Sequence, residues 1–180
     1  MRKILLALAA LLLLPVVVQA KIPELKFRRL DTRDGLSNSQ VNCVFRDSRG
    51  YVWVGTAYGL NRYDGYRFKT FYSNRLDSTS MRDNYTLQIM EDHRGKLWLQ
   101  QGMNYCVYDP QTEQFERDIN RELKPFLGTH SSPERLYIDN KKNIWVKYYE
   151  EGIFCYNPKT KKVTHIREGY EQNQYRWSRE

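Results

Sequence analysis

An aspartate standing six residues ahead of a tryptophan occurs three times: Asp47 and Trp53, Asp92 and Trp98, Asp139 and Trp145. The tryptophans are 45 and 47 residues apart. A period of this size points to stacked supersecondary units, each burying its apolar face against its neighbours. The flanking residues agree. Val44-Phe45-Arg46-Asp47-Ser48-Arg49-Gly50 aligns with Ile89-Met90-Glu91-Asp92-His93-Arg94-Gly95 and with Leu136-Tyr137-Ile138-Asp139-Asn140-Lys141-Lys142. Downstream, Leu60-Asn61-Arg62-Tyr63-Asp64 falls where Tyr105-Cys106-Val107-Tyr108-Asp109 stands, and Ile153-Phe154-Cys155-Tyr156-Asn157 follows with an offset of one residue.

Each unit reads as short β runs separated by turns, with no long stretch of 3.6-residue period. Asp47-Ser48-Arg49-Gly50 is a tight hairpin turn, because Asp bonds the backbone ahead of it and Gly takes positive φ. Asp92 to Gly95 repeats it. In the third unit Lys142 stands where glycine is expected, so Asn140 or Asn143 is expected to adopt that conformation instead. Tyr51-Val52-Trp53-Val54 has the β-branched and aromatic content of a buried strand. Four short strands per unit of about 46 residues describe a β-propeller blade.

The expected fold class is therefore all-β, a partial β-propeller of about three four-stranded blades. The blades are placed at about 36–72, 82–118 and 130–166 within a propeller region spanning 21–163. Phe27 to Leu30 is read as the outer strand of another blade, and 167–180 as a tail or the start of a next one. Asp47, Gly50, Trp53, Tyr63, Asp92, Gly95, Trp98, Tyr108, Asp139, Trp145 and Tyr156 form the structural signature, with the tryptophans packed between adjacent blades. Rings close with roughly four to eight blades. Three would make an open arc, so the chain reads as the opening segment of a truncated or interrupted protein.

Residues 1–20 have the layout of a secretory signal: basic Arg2 and Lys3, an uncharged run from Ile4 to Val18, and small residues at Val18 and Ala20 before the cleavage point. The run is short for a membrane span, which needs about 20 apolar residues. A periplasmic location is expected. Loss of the signal lowers Lys+Arg from 29 to 27 against 21 Asp+Glu. Outside the cytoplasm that excess favours anionic or acidic ligands over nucleic acid, but the basic residues are scattered, and a solubilising surface is the commoner reading. A 41% hydrophobic and 14% aromatic content excludes a disordered chain. Cys43, Cys106 and Cys155 sit among apolar neighbours and read as buried, inert thiols; a Cys106–Cys155 bridge between neighbouring units is the alternative in an oxidising compartment. No metal or cofactor motif and no nucleophile elbow or phosphate loop is present, and His93, His130 and His165 lack a second catalytic group at recognisable spacing.

Asp34-Gly35-Leu36-Ser37-Asn38-Ser39-Gln40-Val41, Asp47-x-x-Gly50-Tyr51-Val52-Trp53-Val54-Gly55-Thr56 and Gly59-Leu60-Asn61-Arg62-Tyr63-Asp64 together resemble the two-component regulator propeller repeat. The resemblance covers about residues 27–163. It implies the N-terminal periplasmic sensor segment of a Bacteroidetes hybrid two-component histidine kinase. The membrane helix, kinase and DNA-binding region of such proteins would lie downstream. It also implies oligosaccharide sensing as the general role, without catalysis in this segment.

Propellers usually bind ligands on the loops that enter each inner strand and that join the second and third strands. Here those loops offer Asn38, Ser39, Gln40, Thr56, Tyr58, Asp83, Asn84, Gln101, Asn104, His130, Tyr148, Tyr149 and Glu150. Aromatic faces beside amides and hydroxyls suit a sugar: stacking for its C–H face, directed hydrogen bonds for its hydroxyls. The expected partners are an oligosaccharide, the remaining sensor blades and a second copy in a homodimer, with no direct nucleic-acid contact. A propeller enzyme acting on polysaccharide and a protein-binding scaffold are the competing functions. The enzyme would need a carboxylate pair or a Tyr/His base.

Overall fold

The computed structural model describes residues 27–128 and 131–167. The signal at 1–20, His130 and the tail beyond 167 lie outside the described residues. Three four-stranded antiparallel sheets follow one another along the chain, each with its strands in sequence order. Blade 1 is β1 (Val41–Arg46), β2 (Val52–Thr56), β3 (Leu60–Tyr63) and β4 (Phe68–Phe71). Blade 2 is β5 (Gln88–Glu91), β6 (Leu97–Gln101), β7 (Asn104–Asp109) and β8 (Gln114–Glu116). Blade 3 is β9 (Pro133–Ile138), β10 (Ile144–Tyr148), β11 (Gly152–Asn157) and β12 (Lys162–Ile166). The architecture is that of propeller blades, as the repeat implied.

Strand alternation gives each sheet two working faces. In register, Phe45, Trp53 and Arg62 share one face of blade 1, and Met90, Trp98 and Val107 share the equivalent face of blade 2. The opposite face of blade 2 carries Ile89, Leu97, Leu99, Cys106, Tyr108 and Phe115. These residues pack with Trp53, Leu60 and Met81 in the first core. The second core joins Met90, Trp98, Tyr105 and Val107 to Leu136, Ile138, Ile144, Val146, Tyr148 and Tyr156. Trp53 and Trp98 are fully buried in these seams, and each such side chain contributes about 1.5–3 kcal/mol through removal from water.

Three features depart from the sequence reading. A helix, α1 (Ile119–Leu127), joins blades 2 and 3. Asp118 caps it by accepting from the Asn120 N–H, and Ile119 and Leu123, four residues apart, bury one side against the second core. Only two deeply buried apolar positions mark it, too few for a visible helical period. Second, Lys142 itself takes positive φ (65°) in the third turn, rather than Asn140 or Asn143. The Lys142 N–H donates to the Asp139 carbonyl, and its ammonium is held by Glu91 in blade 2, so an interblade ion pair supports the strained backbone. Third, Phe27 to Leu30 is in no strand, although Arg28 pairs with Asp34. All three cysteines are free thiols, so the Cys106–Cys155 bridge is not formed.

Candidate functional site

The hairpin turns joining first to second strands lie at one end of the blades, which we term the turn end. The loops entering each first strand, and those joining second to third strands, lie at the other, the loop end.

At the turn end the repeated aspartate does more than bend the chain. Asp47 Oδ1 accepts from the Arg49 and Tyr51 backbone N–H groups at 3.0 and 2.9 Å, while Oδ2 accepts from Trp53 Nε1 at 2.9 Å. Asp92 binds Arg94 N, Lys96 N and Trp98 Nε1 in the same way. Asp139 binds Lys141 N, Asn143 N and Trp145 Nε1. One carboxylate thus closes the turn and fixes the indole that fills the seam. Burial alone would push the Asp139 carboxyl up, but the donors of Trp145 and Asn143 outweigh it and hold it below the usual aspartate range.

Glu91, immediately before Asp92, ties the three blades together. Its buried carboxylate accepts from Ser48 N and Ser48 Oγ of blade 1 at 3.0 and 2.6 Å, and from Lys142 Nζ of blade 3 at 2.9 Å. Sequence reasoning missed this node. The only signal was an acid at a position where the other copies carry Arg46 and Ile138.

The sequence-nominated ligand residues at the loop end divide into two groups. Several are committed to the fold. Tyr148 is buried in the second core, and burial pushes its phenol up to about 12. Gln101 is buried: its Oε1 accepts from Asp83 N and its Nε2 donates to the Asp83 carbonyl. Asn84 Oδ1 accepts from Ser73 N, and its carbonyl accepts from Gly59 N, stitching blade 2 to blade 1. Asn38 Oδ1 accepts from Gln40 N within its own turn.

The second group faces solvent. Tyr58 is 57% exposed, and its ring lies 5.7 Å from that of the half-exposed Tyr72, which the sequence reading did not nominate. Gln40 and Asn104 are exposed, and Tyr149 is 71% exposed. Tyr58 and Tyr149 belong to blades 1 and 3, with blade 2 between them. The arrangement leaves the rings of Tyr58, Tyr72 and Tyr149 and the amides of Gln40 and Asn104 open to solvent. Among the described residues no group of three or more His, Cys, Asp or Glu side chains could hold a metal ion. Likewise, no described helix is long and apolar enough to cross a membrane.

Residues 35–58 match the two-component regulator propeller family, so the repeat recognised in the sequence is borne out over that stretch. Over 68 residues the chain is 40% identical to histidine kinase P4 of Formosa agariphila, an alignment covering 38% of this chain and 5% of that protein. The extracellular domain of a hybrid two-component system from B. thetaiotaomicron is similar at 20% identity, with a TM-score of 0.34 over 77% of this chain and 26% of that one. That of a one-component system from the same organism is similar at 21% identity, with a TM-score of 0.41 over 71% and 25%. The chain therefore spans a small part of the length of each.

Proposed function

We propose that this chain is part of the exported sensor region of a hybrid two-component regulator, and that its loop end takes part in detecting an oligosaccharide. The match at residues 35–58, together with the 68-residue likeness to a histidine kinase, supports the sensor class. The observation that carries the ligand class is the exposed Tyr58–Tyr72 ring pair, set among the polar loops of blades 1 and 2. Such rings stack on the C–H face of a sugar while neighbouring amides take its hydroxyls.

A pocket on this end draws on loops from several blades. The chain alone should bind weakly, and a longer sensor region containing it should bind more tightly. Calorimetric titration of both against a panel of oligosaccharides is the test. Tyr58→Ala should weaken binding by about 1–3 kcal/mol, the range for one lost aromatic stacking contact. Unchanged affinity in Tyr58→Ala and Tyr149→Ala, with binding otherwise intact, would remove these loops from the site. Absence of binding by either protein would overturn the ligand class.

A further inference from the structure

Basic residues that are scattered along the sequence are unevenly placed in the fold. Antiparallel strand order brings the turn between third and fourth strands to the turn end as well, beside the turn between first and second. In blade 1 these turns, 47–51 and 64–67, carry Arg49 and Arg67, each paired with an aspartate of its own turn, Asp47 and Asp64. In blade 2, Arg94 and Lys96 pair with Asp92, Asp109 and Glu122. Blade 3 breaks the pattern. Its turns, 139–143 and 157–162, hold Lys141, Lys142, Lys159, Lys161 and Lys162 against Asp139 alone, and that carboxylate is taken up by Lys141 N, Asn143 and Trp145. Lys142 pairs with Glu91; the other four ammoniums have no partner among the described residues.

The exchange is position by position. Lys161 stands where blade 2 has Glu113, both at positive φ, and the Glu113 carboxylate pairs with Arg62 and Lys69 of blade 1. Lys159 replaces Gln111, and Lys142 replaces Gly50 and Gly95. The two turns of blade 3 meet the first turn of blade 2 around a groove of about 330 Å³, lined by His93, Gly95, Lys141, Lys142, Pro158 and Lys159. Two acids also border it, and both are spent within the protein: Glu91 on Ser48 and Lys142, Asp92 on Arg94, Lys96 N and Trp98. Lys142 Nζ donates to the Glu91 carbonyl and carboxylate, which leaves one N–H over. The His93 ring rests on Phe126 and Tyr156, and its nitrogens have no hydrogen-bond partner among the described residues. The groove thus presents unpaired cations and donors and no unpaired carboxylate.

We propose that this groove binds a doubly charged oxyanion, a phosphate or sulfate group, free or esterified to a sugar. Lys141 and Lys159 donate charge-assisted hydrogen bonds from the two turns of blade 3, and Lys142 and His93 add a donor each. A tetrahedral oxyanion suits donors that arrive from several directions, because it carries acceptor oxygens on every side. Lysine suits it too, since an ammonium on a flexible stem acts as a point charge and demands no planar partner. The groove lies at the opposite end of the blades from the Tyr58–Tyr72 pair, so it is a separate site, and neither reading depends on the other.

The test titrates inorganic phosphate, inorganic sulfate, a hexose phosphate and a hexose sulfate into the chain at low ionic strength, with the unmodified hexose and chloride as blanks. Heat and the His93 ring resonances are followed together. Lys141→Gln combined with Lys159→Gln removes the two unpaired groove ammoniums; both side chains are exposed, and an unchanged urea midpoint confirms folding. Arg29→Gln combined with Arg75→Gln removes the same charge from exposed positions outside the groove. The doubly charged probes should bind saturably and shift His93. Affinity should fall at least ~10-fold in the lysine pair, which loses two charge-assisted bonds, and stay unchanged in the arginine pair. Tighter binding of the esters than of the free ions would identify a charged saccharide as the ligand, and equal binding the ion itself. Absence of saturable binding by all four probes would overturn the proposal. Equal weakening in the two paired variants, or displacement of phosphate by an equal concentration of chloride, would reduce the effect to net charge and overturn it as well.

Discussion

Replacing Asp92 with alanine isolates what the repeated aspartate contributes. Asp92 accepts from Arg94 N at 2.8 Å, Lys96 N at 3.0 Å and Trp98 Nε1 at 3.1 Å. The two backbone donors lie near the surface, where water can replace the carboxylate. The indole cannot be rehydrated, because Trp98 is fully buried between blades 2 and 3. An orphaned buried donor costs about 1–3 kcal/mol, and bonds to a charged partner sit at the upper end. The Arg94 ion pair adds little, since that side chain is partly solvated. Asp92→Ala should therefore lose about 2–4 kcal/mol, a large share of the 5–15 kcal/mol typical of a domain. Asp139→Ala should lose only about 1–2 kcal/mol by the same reasoning, because Trp145 is half-buried and its N–H can find water. Urea unfolding followed by both tryptophan fluorescence and far-UV circular dichroism measures the two costs. Equal costs at the two positions, or a loss under ~0.5 kcal/mol for Asp92→Ala, would refute the idea that indole burial sets the value of the clamp.

Two further outcomes follow from the interblade contacts. Burial pushes the Glu91 carboxyl up, but Ser48 and Lys142 outweigh it and hold its folded pKa below the ordinary 4.5. A depressed acid stabilises fully above its unfolded pKa, and the contribution is lost as pH falls through the folded value. The gap in urea midpoint between the parent and Glu91→Gln should therefore be widest near neutral pH and shrink below about pH 4.5; a constant gap would sink the assignment. Arg117 donates to the carbonyls of Asn74, Asp77, Ser80 and Met81 and to Ser80 Oγ. Arg117→Ala should free that loop and speed tryptic cleavage at Arg75 or Arg82 by roughly tenfold or more through local opening, while an unchanged cleavage pattern would show that other contacts hold it.

The blades were legible because their information is local. Asp, Gly and Trp recur at fixed offsets, and the hydrogen bonds that require them span at most six residues. The third turn was misread because the support for Lys142 comes from Glu91, 51 residues earlier. Tyr148 shows a different limit. It stands three residues after Trp145, and strand alternation already directs it to the opposite face, toward blade 2; loop composition was allowed to outweigh that parity. Gln101 and Asn84 could not be settled from sequence, because an amide in a loop serves a ligand or a neighbouring backbone equally well. Only the fold shows Asp83 and Ser73 taking them. Tyr72 was missed because it gains its importance from packing beside Tyr58, fourteen positions away.

The contrast in range between the aspartate clamps and the Glu91 node bears on the order in which the protein assembles. A clamp can close as soon as seven residues of chain are available, before any neighbouring blade exists, so each hairpin is a ready nucleus. The Glu91 carboxylate waits for partners 43 and 51 residues distant and can be satisfied only once whole blades have docked. The turn bonds of a clamp therefore act mainly on the folding rate, whereas its indole bond, which counts only once the seam excludes water, and the Glu91 bonds act mainly on the unfolding rate. The same chemical group, moved one residue back along the chain from Asp92 to Glu91, thereby changes from an initiator to a latch.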